Sequence, residues 1–188
     1  MKNFYLRLLL LPVIVFLGSF SIAADDPTTQ ASGFGVAVNS AINGQVLPFR
    51  LIATGLYYQG RNQYELGIGL HPFIRREQTI VSADFNYKLF PNGRDNKLNL
   101  YLLANLSYLN TNRDTFYPTT YHYVFLQGGY GIELNGFAGS YMDTNVSFGG
   151  FTYRKDSKNP ASGYLNAEQF FKEFGSSLSF QASVGYRF

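Results

Sequence analysis

Apolar and polar residues alternate with a period of two along most of the chain after residue 32. Every second residue from Leu178 to Phe188 is apolar, and the residues between them are Ser, Gln, Gly and Arg. This period is typical of a β-strand that turns one face to an apolar environment and the other to a polar one. The pattern therefore limits this part of the chain to an all-β fold.

The alternation recurs in eight segments, separated by turn signals such as Asn92-Gly93 and Asn135-Gly136. The predicted strands cover residues 33–43, 46–58, 62–73, 78–90, 97–110, 120–134, 138–154 and 176–188. Each is long enough for a tilted crossing of a bilayer, which takes roughly 9–11 residues. In the second segment Arg50 shares a face with Ile52 and Leu56, so we expect a bulge or a register change there.

The composition of the polar faces separates two kinds of barrel. A soluble, lipocalin-like barrel also alternates, but it exposes Lys and Glu freely on its outer face. Here the polar faces carry mostly Ser, Asn, Thr, Gly, Gln and Tyr, and charged residues make up 14% of the chain, against roughly 25% in soluble domains. The sequence therefore predicts an eight-stranded antiparallel up-and-down transmembrane β-barrel.

The first residues have the three parts of a secretory signal peptide. Lys2 and Arg7 are followed by an apolar run and by small residues that place cleavage after Ala23, or after Ala24. A permanent membrane anchor is the alternative, but the run is short for a spanning helix and contains Pro12. We expect a cleaved signal peptide over 1–23, a flexible periplasmic segment over 24–32 and an outer-membrane barrel over 33–188.

Charge and cysteine content exclude several functions. Two of the cations behind the formal net charge of +3 lie in the signal peptide, so the mature chain gives no support for nucleic-acid binding. The chain has no cysteine, which excludes disulfides and thiolate metal sites. Nothing in the sequence predicts a metal ion or a cofactor.

The charged residues in the predicted strands all lie on the polar face and carry both signs. They are Glu65, Asp84, Lys88, Glu133, Asp143 and Arg187. The interior of an eight-stranded barrel is just wide enough for side chains, so we expect these residues to pair in a charge network that fills the lumen. A narrow small-solute pore, with a continuous polar lumen instead of paired charges, is the alternative.

With both ends of the barrel in the periplasm, connections 1, 3, 5 and 7 face outward. Connections 5 (110–120) and 7 (154–176) are predicted to be the two longest, as surface loops usually are. Basic residues collect near this end as candidate contacts to lipopolysaccharide phosphates, with simple solubility as the alternative. They are Arg75, Arg76, Arg113, Arg154, Lys155 and Lys158.

Aromatic residues fall near both ends of the predicted strands, at the levels where membrane barrels carry aromatic belts. The periplasmic group is Phe34, Tyr57, Tyr64, Tyr87 and Tyr186. The outer group is Tyr108, Tyr121, Tyr123, Phe151 and Tyr153, several of which point inward by parity. In connection 7, Leu165, Phe170 and Phe171 precede Phe174, and they either engage a partner or cap the barrel mouth.

The signal peptide, the alternating segments and the terminal Gly185–Phe188 resemble the eight-stranded outer-membrane barrel superfamily. That superfamily includes outer membrane protein X, the transmembrane part of outer membrane protein A and the opacity-type, porin-like proteins. The resemblance implies a Gram-negative outer-membrane location among lipid and lipopolysaccharide. It also implies recognition of the last strand, which ends in Phe188, by the outer-membrane assembly machinery. It implies no activity.

The two histidines, His71 and His122, are the residues on which an enzyme hypothesis depends. Lipid A deacylases place a His and a Ser two residues apart on the lipid-facing wall, whereas Val124 stands two residues after His122 here. Asp156-Ser157 lies in a polar loop, where we expect a solvated turn. We therefore predict no catalytic residues.

The predicted role is structural or adhesin-like, through the long outer loops. A narrow pore is the first alternative. The second is a lipid A-modifying enzyme, which requires His71 or His122 hydrogen-bonded to a hydroxyl or a carboxylate at the outer leaflet.

Overall fold

The computed structural model describes residues 32–44, 49–72, 78–113, 118–157 and 173–188, without the side chains of Gln78, Arg113, Ser157 and Glu173. The predicted signal peptide, and the predicted periplasmic segment up to residue 31, lie outside these ranges. The side chains of Arg75, Arg76, Lys158, Leu165, Phe170 and Phe171 also lie outside them. Within the described residues, no helix is long and apolar enough to cross a membrane.

The described strands form a single closed barrel. They are β1 (Ser32–Asn43), β2 (Arg50–Gln59), β3 (Asn62–Leu70), β4 (Gln78–Leu89), β5 (Leu98–Arg113), β6 (Thr119–Asn135), β7 (Ser140–Ser157) and β8 (Glu173–Arg187). Each strand pairs antiparallel with its neighbour in sequence, and β1 pairs with β8 from Gly35↔Arg187 to Asn43↔Ser179. The predicted eight-stranded up-and-down barrel is confirmed.

The expected irregularity in β2 is wrong. Pairing with β1 runs without interruption from Ser32↔Gln59 to Ala41↔Arg50, and pairing with β3 is equally regular. Arg50 therefore faces the interior together with Ile52 and Leu56, and all three are buried. The apparent conflict in the sequence disappears because Arg50 has an acidic partner, Asp84, inside the barrel.

The expectation that connection 5 is one of the two longest is also wrong. The β5–β6 ladder continues to Arg113↔Thr119, so this connection spans only 114–118. The ladder continues because the alternation of buried and exposed residues continues. Leu109 and Thr111 are buried, and Asn112, which follows Thr111, is exposed. Connection 7, over 158–172, is the longest.

Side chains sort to the two faces of the wall. The exposed outer wall is apolar through most of its height, as the exposed side chains of Val38, Ile68 and Phe148 illustrate. Two hydroxyls on this wall are satisfied by strand carbonyls: Ser40 donates to Ala182 O (3.1 Å) and Thr144 donates to Gln181 O (3.2 Å). An outer face of this kind suits lipid, which offers no hydrogen bonds.

The barrel end that carries Ser32 and Phe188 is called the terminal end, and the opposite end is called the loop end. Connection 4 (90–97) is long for a terminal-end turn because part of it closes the lumen. Phe90 is fully buried and packs against Tyr101 and Leu103. The guanidinium of Arg94 lies 4.4 Å from the ring centre of Tyr58. Burial, followed by repulsion from Arg187, lowers the pKa of Arg94 to about 10.

The outer wall generates the first prediction. Ile68→Lys places a cation on the wall at a position that is 66% exposed, and it should lower the free energy of unfolding in lipid vesicles by about 2–4 kcal/mol. Asn112→Lys is the matched control, because Asn112 is exposed on a polar part of β5. That control should change the unfolding free energy by less than about 0.5 kcal/mol. Equal effects of the two variants in urea titrations would contradict an apolar, lipid-facing wall.

Candidate functional site

One buried lysine lies between two carboxylates inside the lumen. Lys88 Nζ lies 2.6 Å from Glu65 Oε1 and 2.7 Å from Asp143 Oδ2, and all three side chains are at most 1% exposed. Gln63 donates to Glu65 (2.7 Å), and the hydroxyl of Tyr101 donates to Asp143 (2.9 Å). These donors compensate for part of the desolvation that a buried charge costs.

A second ion pair lies nearer the loop end. Arg50 Nη1 is 3.5 Å from Asp84 Oδ1, and Asp84 also accepts hydrogen bonds from Ser82 (2.7 Å) and Ser107 (2.6 Å). Arg50 was not among the expected lumen charges, because β2 looked irregular in the sequence. Its parity with buried Ile52 and Leu56 was the signal that could have placed it inside.

The third ion pair lies near the terminal end. Arg187 pairs with Glu133 and donates to Gln63 Oε1 (2.8 Å). Its guanidinium also lies 4.2 Å from the ring centre of Tyr141. Arg187 thereby holds β8 against β3, β6 and β7 at the end where the chain leaves the barrel.

Polar side chains join these pairs into one continuous set of contacts, which we call the lumen chain. From the Arg50–Asp84 pair it passes through Ser107 to Asn105, and Asn105 donates to Asn86 (2.6 Å). Asn86 donates to Glu65 (3.1 Å), and Gln63 leads from Glu65 to Arg187. The structure thus brings Glu65, Asp84, Lys88, Glu133, Asp143 and Arg187 together inside the barrel.

Bulky rings occupy much of the remaining interior. Tyr101, Tyr141 and Phe125 are each 1% exposed. Four of the five expected outer-belt aromatics face inward too, as parity indicated. They are Tyr121, Tyr123, Phe151 and Tyr153. The terminal-end group does form an outward row, with ring-centre distances of 5.2 Å for Phe34–Tyr57 and 5.3 Å for Tyr64–Tyr87.

Of the six basic residues expected to contact lipopolysaccharide, the structure describes the side chains of Arg154 and Lys155, and it places them apart. Arg154 faces outward, and its Nε donates to Asp156 Oδ1 (2.8 Å). Lys155 is on the opposite face of β7, with Nζ 5.9 Å from the ring centre of Tyr121. Adjacent residues of a strand point to opposite faces, so the side chains of Arg154 and Lys155 leave β7 on opposite sides of the wall.

His122 is at the centre of a polar cluster on the outer wall near the loop end. Its Nδ1 is 2.7 Å from the Tyr108 hydroxyl, and its Nε2 is 3.5 Å from Asp156 Oδ2. Asp156 lies in β7, so the expected solvated turn at Asp156-Ser157 is wrong. Spacing along β6, which places Val124 two residues after His122, indicates neither of these partners. They come from β5 and β7, and only the strand register brings them to His122.

This group of Tyr108, Asn110, His122, Arg154 and Asp156 is called the His122 cluster. The amide of Asn110 lies 3.4 Å from His122 Nδ1 and completes it. Across the ranges that the structure describes, no group of three or more His, Asp or Glu side chains could hold a metal ion.

Comparisons with known proteins identify the fold. No family model and no curated protein matches the sequence. The N-terminal β-barrel domain of Pseudomonas aeruginosa OprF is similar at 11% identity and a TM-score of 0.57, over 86% of this chain and 100% of that one. Neisserial surface protein A gives 11% identity and 0.54, over 84% of this chain and 97% of that one. A major outer membrane protein of Thermus thermophilus is similar at 13% identity and a TM-score of 0.54, over 84% of this chain and 100% of that one.

The chain therefore has the fold of small outer-membrane β-barrels. The expected resemblance to that class of structure is confirmed. The apolar outer wall described above and this fold are both consistent with a location in the bacterial outer membrane.

The buried lysine generates the second prediction. Lys88→Met leaves Glu65 and Asp143 buried without their cation and should lower the free energy of unfolding by about 3–5 kcal/mol. A charge-free triple variant, Glu65→Gln with Lys88→Met and Asp143→Asn, should recover most of that loss. Denaturant titrations followed by the band shift on unboiled gels would measure both. A single variant as stable as the wild type would contradict the pairing.

Proposed function

We propose that this protein is a non-conducting barrel of the bacterial outer membrane with a structural or surface-interaction role, exported by a cleaved signal peptide over 1–23. The observation that carries the proposal is Lys88 held between Glu65 and Asp143 inside the lumen. A rigid, filled barrel supplies a fixed support for the connections at its loop end. Adhesin-like binding through those connections is the surface role that we favour.

The lumen supports this role better than a pore. Continuous contacts run from Arg50 to Glu133, and Tyr101, Tyr141 and Phe125 occupy the space beside them. A solute would have to break buried ion pairs in order to pass, and each broken pair leaves an uncompensated charge. The small-solute pore is therefore the weaker alternative.

The outer wall suggests the membrane partners. The aromatic row at the terminal end suits the headgroup level of a bilayer, where Tyr keeps its hydroxyl wet. Arg154, with Arg75, Arg76, Arg113, Lys155 and Lys158, remains a proposed contact for lipopolysaccharide phosphates, although Lys155 shares no face with Arg154. Phe188 is 75% exposed at the end of β8, which suits its proposed recognition by the assembly machinery.

The third prediction tests the filled lumen. The full chain, purified and reconstituted in planar bilayers, should show no discrete conductance steps, because the paired charges of the lumen chain and the rings beside them stand in the way of water and ions. Lys88→Ala, which removes the central side chain, is the comparison variant and should be more permeable than the wild type. Stable wild-type conductance, unchanged in Lys88→Ala, would contradict the proposal and support the pore.

The fourth prediction tests the surface role. Bacteria that display the protein should adhere to a cultured epithelial monolayer more than bacteria without it. Replacing residues 158–172 by a Gly-Ser linker of equal length should abolish the difference. Replacing the terminal-end turn 136–139 is the matched control and should leave adherence intact, provided that both variants keep the faster unboiled gel band. Adherence that survives loss of 158–172 would contradict a role for this loop.

A further inference from the structure

The His122 cluster lies where the outer wall changes its chemistry. Toward the terminal end, the outward residues Leu106 and Leu126 are exposed and apolar. Toward the loop end, the outward residues on β5, β6 and β7 are polar, beginning with Asn110, His122 and Arg154. A wall in lipid changes in this way at the boundary between acyl chains and headgroups. The ester bonds of membrane lipids lie at that same depth.

The contacts of His122 connect a hydroxyl to a carboxylate. With the ring proton on Nε2, the Tyr108 hydroxyl donates to Nδ1 across 2.7 Å. The Nε2 side of the ring faces Asp156 Oδ2 at 3.5 Å, and the other oxygen of Asp156 accepts from Arg154. A hydroxyl, a base and a group that orients the base is the arrangement that activates a weak nucleophile.

The cluster is open to the lipid side and not enclosed in protein. Tyr108 is 42% exposed on the outer wall, and the His122 side chain is 25% exposed. Charged groups at the edge of the hydrocarbon region are costly, and Arg154 and Asp156 both face outward there.

We propose that Tyr108, His122 and Asp156 form a lipid-facing site that hydrolyses acyl-ester lipids of the outer leaflet. Tyr108 Oη is the nucleophile and His122 is the general base, so both are catalytic residues. Asp156 is a positioning residue that acts through His122. The site is independent of the lumen, so this activity goes beyond the structural role proposed above.

The first step is acyl transfer to Tyr108. Its Oη attacks the carbonyl carbon of the lipid ester while its proton passes to His122 Nδ1. The bond from the acyl carbon to the lipid oxygen then breaks, and that oxygen takes the proton from His122 and leaves as an alcohol. Asp156 stabilises the imidazolium that exists between these transfers. The amide of Asn110 lies 3.4 Å from Nδ1, the atom that receives the proton.

The second step returns the protein to its starting state with water as the co-reactant. His122 takes a proton from water, and the hydroxide oxygen attacks the acyl carbon. The bond to Tyr108 Oη breaks, Oη recovers the proton from His122, and a fatty acid is released. A phenyl ester is more reactive than the alkyl ester from which it forms, so the acyl group should not accumulate on Tyr108 in the wild type.

The experiment uses the purified full chain in detergent micelles, with fatty-acid release measured by mass spectrometry. Phosphatidylethanolamine and purified lipopolysaccharide serve as separate probes, since both carry acyl esters, and release from one but not the other identifies the source. Wild-type protein should release fatty acid from at least one probe. Tyr108→Phe and His122→Gln should each reduce the rate by about 100-fold or more.

Matched controls separate catalysis from folding. Tyr130→Phe makes the same change at another exposed tyrosine of the outer wall, and His71→Gln changes the other histidine. Both should keep the wild-type rate, and all variants should keep the faster unboiled gel band. Asp156→Asn should lower kcat and change its pH profile, while Asp156→Glu should restore part of the rate, which a merely structural role would not produce.

Two results would overturn the proposal: no fatty acid from either probe, or release that Tyr108→Phe leaves unchanged. Neither result bears on the non-conducting lumen, which the bilayer measurement tests on its own. Loss of the unboiled band shift only in Tyr108→Phe would assign Tyr108 a structural role and would likewise overturn the proposal.

Discussion

The contact on which the rest of the structure depends is the β1–β8 ladder that closes the barrel. Closure removes the last free strand edge, so the backbone donors and acceptors of a wall in lipid find partners within the wall. In a closed wall, each side chain points either to lipid or to the lumen. The polar residues that alternate with the apolar ones therefore face the lumen. The lumen of eight strands is narrow, so those side chains must pack against and pair with one another.

This constraint explains the organisation of the buried charges. Lys88 on β4 lies between Glu65 on the neighbouring strand and Asp143 on β7, so the ion pairs connect opposite sides of the wall as well as adjacent strands. Such contacts resist slippage of register, because a shifted strand would leave a buried charge without its partner. The filled interior and the lipid-facing exterior are thus two results of the same alternation.

The sequence predicted the architecture well because a period of two states directly which face each residue occupies. It predicted contacts poorly, because a contact also requires the register between strands. The sequence did not predict that Arg50 is a lumen charge, because its partner Asp84 lies two strands away. Within its own segment, Arg50 is a cation among apolar neighbours. Tyr108, His122 and Asp156 come from three strands, so no spacing along one segment could reveal them. The predicted end of β7 at residue 154 is too early, because Lys155, Asp156 and Ser157 are as polar as a loop.

Spin-label accessibility along β8 tests the central claim that alternation sorts residues between lipid and lumen. The chain has no cysteine, so one substitution at a time from Leu178 to Val184 supplies a single labelling site in reconstituted protein. Collision with oxygen, which concentrates in lipid, should be high at the even positions and low at the odd ones. A flat profile, or maxima at Ser179 and Ser183, would contradict a barrel with an apolar wall in lipid and a polar, filled lumen.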